Sequence, residues 1–134
     1  MLFRSVRFLA ELDAHLAGLD DFDELVAGII SHALVQMRDD SQLQFAMSAQ
    51  PADVARGLSV DVMPKIIHLA SAALGPRLVP FVGPGRSAEL AEWISRVVVS
   101  YFLAPSALAD LTDPDQALAF VRRFVTPAFP LPVH

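Results

Sequence analysis

The sequence predicts an all-α domain, a helical bundle of about six helices. Three observations lead there. Apolar residues recur at helical spacing through most of the chain. Carboxylates, prolines and glycines stand where helices start and stop. No segment alternates apolar and polar residues over the length of a strand; Val97-Val98-Val99 has strand propensity but lies inside a long helical pattern.

The first helix covers residues 2–17. Leu2, Val6, Leu9 and Leu16 line one side, Arg4, Arg7, Glu11 and His15 another, and Gly18 is its stop. No N-cap precedes it, so it reads as the cut end of something longer. Asp20, Asp21, Asp23 and Glu24 open the second helix, where carboxylates meet free N–H groups and the positive end of the dipole. Its apolar series is Phe22, Leu25, Val26, Ile29, Ile30, Ala33 and Met37. Arg38-Asp39-Asp40-Ser41 ends it, and a short helix over 42–49 stops before Pro51. Residues 52–57 read as a weak helical turn or loop. Ser59 is the expected cap of a helix over 59–74, bent by Pro64. Residues 75–85 hold Pro76, Pro80, Gly83 and Pro84 and read as an irregular connection.

The last two helices carry the clearest signals. Ser87 is the expected cap of a helix running to Ala104, with the stripe Leu90, Trp93, Ile94, Val97, Val98, Tyr101 and Phe102. Asp113 reads as the N-cap of the final helix, Pro114 as its first residue and Gln116 as the partner in a capping box. Ala117, Phe120, Val121, Phe124 and Val125 form its stripe, and Thr126-Pro127 ends it. Residues 130–134 read as a flexible tail.

At 134 residues and 14.5 kDa the chain is one domain long. Hydrophobic residues make up 54% and charged residues 19%, which excludes a disordered chain. A net charge of −5 argues against a nucleic-acid surface on these residues. Without cysteine there is neither a disulfide nor a thiolate metal site. The apolar runs 26–37, 66–74 and 97–104 fall short of the ~20 residues a membrane span needs. Arg4, Arg7 and Glu11 break any N-terminal signal sequence. The expectation is a cytoplasmic domain, with no membrane partner, that oligomerises, holds an apolar ligand, or both.

No constellation for catalysis, a cofactor or a metal stands out. The acidic run at 20–24 lacks the spacing and central glycine of a calcium loop. Residues 83–87 match no phosphate-binding glycine motif. Candidate ligand contacts are His32 and Gln36, one turn apart in an apolar helix; Met37 and Met63, suited to adaptable pockets; and His68 with Ser71. Each also reads as an ordinary core or surface residue. The penultimate helix is apolar around much of its circumference, and in a domain this small a second copy most easily supplies the extra cover. Two helices from each of two copies would form a four-helix bundle through Leu90, Trp93, Ile94, Val97, Tyr101, Ala117, Phe120, Val121 and Phe124.

The C-terminal half resembles the ligand-binding region of tetracycline-repressor-like (TetR-like) transcriptional regulators. The residues that carry this run from Ala88-Glu89-Leu90-Ala91-Glu92-Trp93-Ile94-Ser95-Arg96 to the Pro105-Ser106 stop. They continue through Asp110-Leu111-Thr112-Asp113-Pro114 and Phe120-Val121-Arg122-Arg123-Phe124-Val125. The match is close over about fifty residues and looser over 2–80. The resemblance implies an effector-binding and dimerisation domain over 1–129. Residues 1–18 would be the linking helix and 87–125 the homodimer helices, with a small, largely apolar molecule in a cavity formed by the preceding helices. It implies no catalytic residue. The family reads DNA through an N-terminal helix-turn-helix. Nothing in this sequence matches that segment, so DNA would be reached only through a domain outside these residues. The alternative is a stand-alone dimeric module that binds a ligand or titrates a related regulator.

Overall fold

In the computed structural model, the structure describes residues 21–129 together with Ala10, Glu11, Ala14 and Gly18. Among them it is all-helical, without a strand. Six α-helices run in order: α1 (Phe22–Asp39), α2 (Ser41–Ala49), α3 (Pro51–Arg56), α4 (Met63–Val82), α5 (Pro84–Leu103) and α6 (Pro114–Phe124). A π-helical turn, Gly57–Asp61, joins α3 to α4, and a 3-10 turn, Thr126–Ala128, follows α6. Ala10, Glu11 and Ala14 are helical, and Gly18 takes φ +83°, the left-handed region in which glycine ends helices. The remainder of the expected first helix and the tail at 130–134 lie outside the described residues.

The chain divides into two compact units: one reaches Gln36 and resumes at Ser106, and the other spans Met37–Pro105. In the first, Asp21 caps α1. Its carboxylate accepts from the Glu24 N–H at 3.4 Å, and its carbonyl accepts from the Leu25 N–H at 2.9 Å. Phe22, Leu25, Val26, Ile29 and Ile30 are buried, as the helical period requires. Asp23 reaches across to the C-terminal segment instead of capping. Its carboxylate accepts from the Thr126 hydroxyl and, at 3.3 Å, from Arg122 Nε. Phe22 adds a tilted ring contact with Phe129 at 6.2 Å, and Ser31 Oγ donates to the Thr112 carbonyl at 3.0 Å. These ties fix the last helix to the first despite about eighty to one hundred intervening residues.

Asp113 is the N-cap of α6, and Pro114 sits in its first turn. The capping box takes a wider form than expected. Gln116 Oε1 accepts from the Asp110 N–H at 2.9 Å, while Gln116 Nε2 donates to Asp113 Oδ2 at 3.1 Å. The side chain therefore pins the approaching loop as well as the cap.

In the second unit, α4 and α5 pack along each other as a helical hairpin. Gly83 makes the turn with φ +84° and ψ 163°, a conformation essentially reserved for glycine. Three expectations are corrected here. Residues 75–82 are the last two turns of α4, not an irregular connection. Pro76 and Pro80 remove the N–H groups that would bond the carbonyls of Ala72 and Pro76, but those residues are exposed and water can satisfy them. Leu74, Gly75 and Leu78 on the other side are buried, and that packing outweighs the proline penalty. The expected cap Ser59 lies before α4, which begins at Met63 with Val62 at its N-cap, while 51–56 form the short helical segment that is one of the two readings there. Finally, α5 begins at Pro84. Ser87 lies a turn inside it, buried, its hydroxyl donating to the Pro84 carbonyl at 2.9 Å.

No single helix among the described residues is long and apolar enough to cross a membrane. The pair Pro51–Asp61 and Met63–Val82 meets that length and composition only jointly, across a 57° bend.

Candidate functional site

The second unit carries a groove of about 490 Å³. Its geometry begins at the π-helical turn. The Val62 N–H reaches back five residues to the Gly57 carbonyl at 2.7 Å, which widens the turn and sets Ser59 and Val60 along one wall. Met63, Pro64 and Ile67 from the first turns of α4 continue that wall, and Met63 is buried. Glu92 and Arg96 of α5 form the opposite rim. Their charged groups stand 3.7 Å apart at i,i+4 spacing, both side chains about half exposed. The groove is wide open to solvent, with Met63, Pro64 and Ile67 on one side and a rim carrying both charges, and its lining is more polar than apolar. Its volume lies within the roughly 300–1,000 Å³ of small-molecule sites.

Of the six expected ligand contacts, only Met63 lines this groove. His68 is exposed and Ser71 half-buried, both further along α4. His32 and Gln36 lie one turn apart on α1, half-buried, in the first unit, with the Nε2 atom of His32 buried; Met37 follows, also half-buried. The residues the periodicity did not single out are Glu92 and Arg96. Their four-residue spacing was visible, but nothing in it indicated which side of the helix would border a groove.

The expected dimer residues separate into two groups. Leu90, Ile94, Ala117 and Val121 are buried within the chain. Trp93 is 37% exposed and Phe124 59% exposed, while Val97, Tyr101 and Phe120 are half-buried. On α6 the Phe120 and Phe124 rings stand 5.3 Å apart, with the Arg123 guanidinium 5.5 Å from the Phe124 ring centre. The stripe read from the sequence was a single one because helical period alone does not distinguish the two sides of a broad apolar arc.

Among the described residues no three His, Asp or Glu side chains converge in a group able to hold a metal ion. In the acidic run, Asp21 serves as a cap and Asp23 as an inter-helix tie. Comparison with protein-family models, curated proteins and solved structures gives no match.

Proposed function

We propose that this chain is the effector-binding and dimerisation domain of a tetracycline-repressor-like repressor. In this reading it pairs with a second copy through its last two helices and binds a small, largely apolar effector. It thereby controls a DNA-reading segment outside these residues. The observation that carries the reading is the partition of α5 and α6. Each commits one apolar side to the chain's own core and leaves a large aromatic outside it, Trp93 on one and Phe124 on the other. Exposed aromatics of this kind are the usual anchors of protein interfaces. In the effector part of the reading, the small molecule lies in the open groove beside Met63 and Ile67.

The effector part is tested with 8-anilinonaphthalene-1-sulfonate, an apolar dye that fluoresces when shielded from water. Trp93 is the chain's sole tryptophan and follows the groove residue Glu92 in sequence, so energy transfer from it reports dye bound nearby, and the Ile67 variant tells the groove from the rest of the surface. Saturable dye binding that quenches Trp93 and weakens by about tenfold in Ile67→Asp supports a site there. Dye binding unchanged by Ile67→Asp would remove the groove from the reading.

A further inference from the structure

We propose that a second copy of this chain docks antiparallel on the exposed ridge of α5, with Trp93 at the two-fold axis and Glu89 of each copy paired with Arg96 of the other. The inference rests on the dimer reading above and specifies its register. Arg86, Glu89, Trp93, Arg96 and Ser100 are all exposed and recur at three- and four-residue intervals, so they form one ridge along the helix. Leu90, Ala91, Ile94 and Val98 are buried, which holds α5 in its own core with that ridge outward.

The order of charge along the ridge is positive, negative, tryptophan, positive, neutral. A two-fold axis through Trp93 reverses this order in the partner. Arg86 then faces Ser100, and Glu89 comes opposite the turn that carries Arg96 and Val97. No like charges meet along the ridge. A parallel arrangement would place each charge against itself, which costs affinity. Self-complementarity is what an isologous interface demands, since one patch must serve as both halves.

The intrachain pairs leave room for this. Arg86–Glu89 and Glu92–Arg96 each stand at 3.7 Å, beyond hydrogen-bond distance, and Glu89 and Arg96 are 72% and 57% exposed. Their carboxylate and guanidinium can therefore turn to a partner without breaking a strong bond. Trp93 supplies the apolar centre, and the charges around it set the register.

The test uses Glu89→Arg and Arg96→Glu, each made alone and then mixed. Both positions are exposed, so circular dichroism should show unchanged folding. Alone, each variant brings like charges together twice across the axis, and its dimer dissociation constant should rise at least about tenfold. Mixed in equal amounts, with one variant labelled with nitrogen-15, they should form a heterodimer containing one of each, visible in native mass spectrometry. Variants that dimerise like the wild type, or a mixture that stays monomeric, would overturn the pairing while the dimer itself stands. A wild-type chain that is monomeric at every concentration would overturn the dimer reading, and the pairing with it.

Discussion

At the scale of single residues, Asp23 has the clearest consequence. It lies in a run of four acidic residues that all read as helix-start signals, and Asp21 meets that expectation. Asp23 does not, because its partners Thr126 and Arg122 stand about a hundred positions away in the sequence. Local spacing could show that a carboxylate belonged at this helix start. It could not show that one of the four would bridge to the last helix. The Asp23 side chain is 18% exposed and Arg122 56% exposed, so the ion pair is partly screened while the hydroxyl bond is more protected. Replacing Asp23 with Ala should cost about 1–2 kcal/mol. Urea unfolding measures this directly, and a midpoint equal to the wild type would mean the bridge adds nothing to stability.

Among the elements, α4 and α6 mark what sequence signals can and cannot carry. The start of α6 was legible because Asp113, Pro114 and Gln116 act within a few residues of one another. Asp113→Ala removes the cap and the Gln116 contact together, and should lower stability by roughly 0.5–2 kcal/mol in a thermal or urea melt. The end of α4 was not legible. Pro76 and Pro80 are breakers by local rule, yet the helix continues through both because Leu74 and Leu78 are buried on the far side. Tertiary packing decided the outcome, and that information is spread over other helices. Pro80→Ala restores an N–H opposite the Pro76 carbonyl. The gain, less the rigidity proline gives the unfolded chain, should be about 1–2 kcal/mol. A lower melting temperature in this variant would mean that α4 needs its proline geometry.

For the whole molecule, the all-α class followed from periodicity alone, since a repeat near 3.6 residues survives whatever the helices pack against. The ligand contacts did not follow in the same way. His32, Gln36, Met37, His68 and Ser71 were chosen as polar or pliable residues in apolar helices. A groove, however, is made by which helices meet: none of these five lines the groove of the second unit, whereas Met63, the sixth candidate, does. The expected interface residues divide by burial. Helical period placed Leu90 and Trp93 in one stripe, and only the assembled core separates the buried member from the exposed one. Because Phe124 is 59% exposed, Phe124→Asp should leave the chain folded and weaken the dimer, whereas the same change at Leu90 would destroy the core.

The most direct test of the account is the solution mass of the wild-type chain by sedimentation equilibrium over a wide concentration range. The account predicts twice the 14.5 kDa chain mass, falling toward the single-chain value in Phe124→Asp with the helical signal intact. A wild-type mass of 14.5 kDa at every concentration would contradict it.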